Sequence, residues 1–279
     1  MQYGLIGAGP VSQYLVRWFP HLPAELGPVA ANNPRLASRI VNTLRAGSAL
    51  RDVSGLQDVS VILICAPGHH LESLLPFLEN AALDWRGKKI VLCNCVLFSL
   101  EMEHIRECGG HVASLRPIAG MPKRLLIEGD REAVKAARYF VTEMRAVAVE
   151  IEPESTALFR AATTFATSLF TPMLEACMQA VRGAGISGSL RDQVVESLFQ
   201  QGLRSYLYSG KKSWTGTVAD GNKEWMRREL ACLEELQPEL AELYRTTATA
   251  GARLFKRPRS IPPPPEVNAA ETASFREPY

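Results

Sequence analysis

Met1-Gln-Tyr-Gly-Leu-Ile-Gly-Ala-Gly-Pro-Val-Ser12 is the stretch that decides the fold. Gln2 to Ile6 is apolar enough for a short strand, and Gly7-Ala8-Gly9 follows at once. Pro10 to Phe19 then carries Val11, Leu15, Trp18 and Phe19 on one helical face. Strand, glycine turn and helix in that order are the setting in which a glycine pair cradles a phosphate. Gly7 permits the tight turn, and Gly9 lets backbone approach a pyrophosphate seated on the helix N-terminus. Pro10 falls in the first helical turn, where a missing N–H costs little. Ser12 stands where a third glycine is usual and is small enough for close helix–strand packing. Gly7, Ala8, Gly9, Pro10, Val11 and Ser12 are therefore the expected pyrophosphate contacts, with an empty structural turn as the alternative.

Working outward, Gly27 to Ala31 is a second short strand, ending in Asn32-Asn33-Pro34-Arg35. At this point a dinucleotide fold chooses its cofactor: an acidic residue bonds the ribose 2′-hydroxyl of NAD, and an arginine accommodates the 2′-phosphate of NADP. No Asp or Glu is present here, and Arg35 and Arg39 follow. Asn32, Asn33 and Arg35 thus point to NADP, with NAD possible; a solvated first-turn arginine is the plain alternative for Arg35.

Val59 to Ala66 (VSVILICA) is the continuous apolar run of a central parallel strand covered on both faces. Its end supplies Cys65, Ala66 and Pro67 toward the cofactor, followed by His69 and His70 and a helix over 71–81. Lys88 to Cys95 is the next strand, Leu100 to Cys108 its crossover helix, and His111 to Leu115 a further strand closed by Arg116-Pro117. Leu125 to Glu128, a helix over Arg131 to Met144 and a strand over Ala146 to Glu150 complete an α/β domain spanning 1–152. Alternating strands and helices over such a length define a doubly wound sheet.

The pattern changes at Pro153. Helical spacing dominates from 153 to 256, over roughly 154–182, 189–208, 222–236 and 238–255. The first of these is apolar around much of its circumference, which predicts the buried axis of a helical domain or a dimer interface. Residues 257–279 form a proline-rich extended tail, because six of the 18 prolines fall there.

Composition narrows the function classes. Thirty-one basic against 29 acidic residues give a net charge of +2, which excludes a strongly basic nucleic-acid surface or polybasic membrane anchor. The apolar stretch 157–181 contains Arg160, Pro172 and Glu175 and is a poor membrane span. With a strand directly at the N-terminus and no charged leader, a cytoplasmic location is expected. The six cysteines read as buried, reduced thiols rather than a disulfide framework. No His/Cys spacing suggests a metal centre, and no Gly-Lys-Ser/Thr follows Gly9 as in a Walker loop.

Three stretches carry a resemblance. Ser114-Leu-Arg-Pro-Ile118 is similar to a Ser-x-His-Pro-Leu segment, with Arg116 at the histidine position. Ala157-Leu-Phe-Arg-Ala-Ala162 is similar to an Ala-Leu-Tyr-His-Ala-Ala helix, with Phe159 and Arg160 in place of tyrosine and histidine. Thr215-Gly-Thr-Val-Ala-Asp-Gly-Asn222 is similar to a Thr-Gly-Pro-Ile-x-Arg-Gly-Asp loop. The chain, over about 1–245, thereby resembles a bacterial family pairing a Rossmann-like domain with a helical domain of unknown function. That family is related to phosphogluconate and hydroxyisobutyrate dehydrogenases, pyrroline-carboxylate reductase and ketopantoate reductase. The resemblance implies a Rossmann-like sheet followed by an all-α domain, NAD(P)-dependent oxidoreduction, and a homodimer joined through the helical half.

Candidate chemistry follows from the rule that ligands lie beyond the carboxyl ends of the strands. Arg116 and Arg160 suit a substrate carboxylate, since a guanidinium can grip one bidentately; for Arg160 a local partner such as Glu154 is the alternative. Asn94 is a polar pocket residue at a strand end, and the resemblance brings Thr215 and Asn222 toward the same pocket. His69, His70 and Lys223 are the proton-donor candidates. The expected activity is NADPH-linked reduction of a small carbonyl or imine carrying a carboxylate. A nucleotide-binding regulatory protein without turnover is the alternative, because both family histidines are replaced.

Overall fold

The computed structural model describes residues 2–8, 22–66, 71–93, 97–121 and 123–255. The expected helix over 10–19, with Gly9, Pro10, Val11 and Ser12, lies outside the described residues, as do Pro67, His69, His70, Asn94 and the tail.

The first half forms one sheet of eight strands: β1 (Tyr3–Gly7), β2 (Leu26–Ala31), β3 (Ser48–Ala49), β4 (Val61–Cys65), β5 (Lys89–Cys93), β6 (His111–Pro117), β7 (Arg124–Gly129) and β8 (Val147–Glu150). Their order is β3-β2-β1-β4-β5-β6-β7-β8. Every pair from β3 across to β6 is parallel. This is the 3-2-1-4-5-6 arrangement of a dinucleotide-binding sheet, reached by chain reversal between β1 and β4.

Beyond β6 the expected pattern is modified, because β7 runs antiparallel to β6. The connection from Pro117 to Arg124 is too short for a crossover helix. It closes through Met121 N–H donating to the Ile118 carbonyl and Arg124 N–H to that of Met121. β8 then returns parallel to β7 by way of α4 (Arg131–Glu143).

Alternation along the strands explains why their sequences read as unbroken apolar runs. Leu5, Val29, Leu63, Val91 and Leu115 face one side, under α1 (Pro34–Leu44) and α4. Ile6, Ile62, Ile64, Ile90 and Val112 face the other. There they meet Leu74 and Leu78 of α2 (Leu71–Glu79) and Ile105 of α3 (Glu103–Glu107). Each fully buried aliphatic side chain contributes about 1.5–3 kcal/mol relative to exposure. The helix expected over Leu100 to Cys108 is shorter than its apolar pattern. Ser99–Glu101 forms a 3-10 turn and only Glu103–Glu107 is α-helical.

Among the described residues of this half, one cation is buried. The Lys88 ammonium donates to the carbonyls of Leu56 (3.2 Å), Gln57 (2.6 Å) and Val59 (2.9 Å). Burial holds its pKa below that of an ordinary lysine, while Asp84 and Asp58 act in the opposite direction. Its three donors meet carbonyls at the end of a 3-10 turn, Val53–Leu56, and of the lead-in to β4, that of Leu56 also accepting the Val59 N–H.

After β8 every described element is helical: α5 (Thr156–Ala166), α6 (Phe170–Gly183), α7 (Gly188–Ser209), α8 (Lys223–Leu236) and α9 (Pro238–Leu254), with short 3-10 turns. The single helix expected over 154–182 is two helices. Thr167 and Thr171 turn their hydroxyls back onto the carbonyls of Thr163 and Thr167. Pro172, which has no N–H to offer the preceding turn, sits in the first turn of α6. The expected buried axis is absent within the chain. Thr156 alone is buried in α5 and nothing in α6, while Leu158 is 74% and Phe165 68% exposed.

Packing divides the chain into two compact units, Met1–Ala162 and Thr163–Tyr279. The composition change at Pro153 marks the end of the sheet; the packing division falls ten residues later, inside α5. Cys65 and Cys93 are buried, but Cys108 and Cys232 are exposed rather than buried as expected.

Candidate functional site

At the carboxyl edge of the sheet, β1 lies between β2 and β4. Gly7 is in register with Ala31 on one side and with Cys65 on the other. Ala8 N–H extends the ladder to the Cys65 carbonyl at 3.1 Å. Six expected cofactor residues, Gly7, Ala8, Asn32, Asn33, Cys65 and Ala66, are therefore grouped around the ends of three neighbouring strands. Cys65 and Ala66 are buried, the thiol of Cys65 in the core under α1 and α4. Only their backbone can face a ligand.

The β2 end is polar and open. Asn33 caps α1, its Oδ1 accepting the Leu36 N–H at 2.8 Å, so its side chain is committed to the helix. Asn32 and Arg35 are exposed. No carboxylate among the described residues pairs with Arg35, which leaves its guanidinium available for an anion.

A second grouping forms where β5 and β6 end. The Arg116 guanidinium lies 3.8 Å from the centre of the Phe98 ring, and its Nη2 donates to the Leu97 carbonyl at 2.5 Å. Arg160, from α5, reaches the same ring at 5.8 Å and donates through Nη1 to Glu101 Oε1 at 2.6 Å. The other Glu101 oxygen accepts the Phe98 N–H. The two arginines that depart from the family pattern thus converge on one aromatic ring. The partner of Arg160 is Glu101, 59 residues away in sequence, and not Glu154.

The segment carrying Phe98 and Glu101 is itself anchored. Glu128 of β7 is fully buried, and its two oxygens accept the Ser99 N–H (2.8 Å) and the Ser99 hydroxyl (2.5 Å). Glu128 stands in register opposite Ser114. The Ser114 hydroxyl is buried with no hydrogen-bond partner among the described residues. Phe98, Ser99, Glu101 and Glu128 were not singled out in sequence. The available signal was Glu128 itself, a lone carboxylate in the strand run Leu-Leu-Ile-Glu.

The helical unit holds the remaining expected residues. Thr215 is exposed, its hydroxyl 3.4 Å from the Ser213 carbonyl. Asn222 caps α8 by accepting the Trp225 N–H at 3.2 Å, and Lys223 is the exposed first residue of that helix. The loop before them is held by Glu229, which accepts from the Thr217 hydroxyl (3.1 Å) and the Tyr244 hydroxyl (2.5 Å). Burial first, and then Glu229, push the Tyr244 phenol up to about 12. Nearby, α6 to α9 line a partly open apolar pocket of about 340 Å³, with Met173, Ala176, Phe199, Trp214, Leu233 and Tyr244 among its walls. Among the described residues, no group of three or more His, Cys, Asp or Glu is arranged to hold a metal. No helix among them is long and apolar enough to cross a membrane.

The class defined by these features is a Rossmann-like sheet followed by an all-helical domain. Comparison with known proteins agrees. Residues 124–250 match the family described as Domain of unknown function (DUF2520). Solved structures share the fold at low identity. An imine reductase from Myxococcus stipitatus in complex with NADP+ superposes with a TM-score of 0.64 at 14% identity, covering 91% of this chain and 95% of that one. A reductive aminase from Aspergillus terreus, in complex with NADPH and ethyl-5-oxohexanoate, gives 0.62 at 12% identity, covering 91% and 94%. An imine reductase from Pseudomonas sp. gives 0.60 at 16%, covering 91% and 93%. No curated protein matches the chain by sequence. The expected kinship in fold with reductases of this architecture is borne out.

Proposed function

We propose that the chain is an NAD(P)H-dependent oxidoreductase, preferring NADPH, that reduces a small carbonyl or imine compound carrying a carboxylate. The observation that carries this reading is the meeting of β1, β2 and β4 at the reversal of strand order, with an exposed Arg35 just past β2 that pairs with no carboxylate among the described residues, and no carboxylate at residues 31–35. That donor fits a dinucleotide with a 2′-phosphate, because a guanidinium complements the phosphate. Gly9 to Ser12, next in sequence to Gly7 and Ala8, would complete the cradle. The nicotinamide, when bound, supplies the hydride.

The chain's own residues bind, orient and protonate. Arg116 and Arg160 hold the substrate carboxylate beside the strand ends. Asn94 contributes a polar contact, and His69 or His70 delivers the proton. The cofactors seen in the imine reductase and the reductive aminase support the choice of NADP. The working form on this reading is a cytoplasmic homodimer joined through the helical half. The wide exposure of apolar side chains there supports a second copy, and light scattering at micromolar concentration measures it. Near-neutral charge supports a small molecule, rather than nucleic acid or membrane, as partner.

Titration of the purified protein with NADPH and NADH, followed by nicotinamide fluorescence, tests the reading. NADPH should bind more tightly, and Arg35→Glu should weaken NADPH by about tenfold, roughly 1.4 kcal/mol, while leaving NADH nearly unchanged. Binding of neither nucleotide by folded protein overturns it. A second reading, nucleotide binding without turnover, draws on one observation: both arginines already have partners within the chain. Tight NADPH binding with no oxidation across a panel of keto acids and imines favours it.

A further inference from the structure

The apolar pocket of the helical unit has no part in the reading above, and neither has the segment that follows the unit in sequence. The pocket is a groove between α6 and α9, which turn stripes of helical spacing into it. Met173, Ala176 and Ala180 form one side and Leu240, Tyr244 and Ala248 the other, with Phe199 and Trp214 as aromatic walls. Polar groups in the walls are engaged within the unit. The Tyr244 hydroxyl donates to Glu229, and the Thr247 hydroxyl to the Met173 sulfur at 3.7 Å. The groove therefore suits apolar surface and offers little to a charged ligand. It is also propped open. Trp214, its bulkiest side chain, is stacked on Phe255 at 4.8 Å in the space left by Gly251, and so does not fold inward. The described chain ends at that wall, with Phe255. Next in sequence come Lys256-Arg-Pro-Arg-Ser260 and then Ile261-Pro-Pro-Pro-Pro265.

We propose that this groove is a docking site for the chain's own segment 261–265, taken up in polyproline II form and running back along α9. Chemistry and length agree. Proline-rich segments dock in aromatic-lined grooves because their extended helix is preformed and little ordering entropy is lost. Leu240 to Ala248 spans about 12 Å at 1.5 Å per helical residue. Ile261 to Pro265 spans about 12–15 Å at 3.1 Å per residue. The interval 256–260 suffices to reverse the chain, since a β-turn does so within about four residues. A second copy fits less well. The walls are recessed, Leu240 buried and the rest half-buried, whereas the protruding Leu203, Leu207 and Tyr208 are not among them. Docking adds apolar cover to α6 and α8, which bury no residue of their own. Cofactor and substrate play no part, so failure of the oxidoreductase reading leaves this site standing.

Cys177 lies in the groove wall and Cys232 on exposed surface, so the full chain carries its own reporter and reference. Labelling with N-ethylmaleimide, read by mass spectrometry as the ratio of the two cysteine peptides, measures how often the groove is uncovered. Ile261→Asp should speed Cys177 relative to Cys232 by about three- to tenfold, the effect of removing a tethered segment from a weak site. Replacing Pro262 to Pro265 by serine keeps the length, removes the preformed helix and should act in the same direction. It serves as the second variant should Ile261→Asp fold poorly. A synthetic peptide of residues 256–267, added at about millimolar concentration, should slow Cys177 again in the Ile261→Asp chain. Equal labelling in all three chains, or no protection by the peptide, overturns the proposal. Protection that rises with protein concentration in all three alike also overturns it and assigns the groove to a second copy. Equal protection of all three by the neutral two-ring probe prodan, without an effect of the substitutions, overturns it in favour of a small apolar molecule.

Discussion

Leu63 in the sheet and Leu207 in the helical unit are the same side chain in opposite circumstances. Leu63 has no exposed surface, with strands on both sides and helices above; Leu207 is 75% exposed. The contrast extends to whole units. Most strand residues from β1 to β7 are buried, whereas α6 and α8 bury none and α7 buries Val195 alone. Hydrophobicity per residue is therefore a poor guide to which unit carries its own stability. The sheet saturates its apolar groups within the chain. The helices leave Leu203, Leu207 and Tyr208 facing outward, surface of the kind that in monomeric proteins marks an interaction site.

The sharpest way to break this comparison is at glycine. In the sheet unit Gly129 has φ +129°, and a Cβ there would meet the Val112 carbonyl oxygen at 2.3 Å. Backbone cannot move aside, so Gly129→Ala should cost about 4 kcal/mol or more in urea unfolding. Leu63→Ala should follow at about 2–5 kcal/mol, against less than about 0.5 kcal/mol for Leu207→Ala if that surface stays in water. A Leu207→Ala cost that rises with protein concentration would show the helical surface to be covered by a second copy.

Tyrosine gives a smaller effect. The Tyr244 phenol is held above its ordinary range, near 12, by burial and by Glu229. A proton held more tightly in the folded state stabilises below the unfolded pKa of about 10, and that stability is lost as pH rises toward 12. Tyr244→Phe should flatten the loss by roughly 1–2 kcal/mol between pH 10 and 12, read from thermal melts across that window. Smallest, and opposite in sign to Gly129→Ala, is Gly202→Ala. A Cβ there meets nothing within 4 Å and the residue lies mid-helix in α7, so the variant should gain about 0.5–1 kcal/mol.

The sheet was legible in sequence because its signal is local. VSVILICA must be a strand buried on both faces, and the short interval from Pro117 to Arg124 forces a reversal once its length is considered. The helix break at Thr167 was less legible, since Pro172 is tolerated in a first turn and only the threonine back-bonds reveal where the preceding helix stops. The arginine cluster was half legible. Arg116 and Arg160 stood out as departures from a family pattern, but nothing in periodicity says that they share Phe98 or that Glu101 joins them. Pairing across 59 residues is a property of the folded backbone. Gly251 belongs in the same class. It reads as a weak point in a helix, yet it is the space that lets Trp214 cross α9 and stack on Phe255 at 4.8 Å.

Lys88 has a consequence of another kind. Three carbonyls converging on a positive charge are what a protein offers a bound monovalent ion, and such an ion comes and goes with the salt around it. Here the ion is covalently leashed through four methylenes to the strand it serves, so no dialysis strips it and no competing cation exchanges with it. The turn it closes, some thirty residues upstream, is thereby locked by an occupant whose concentration is set by the chain itself.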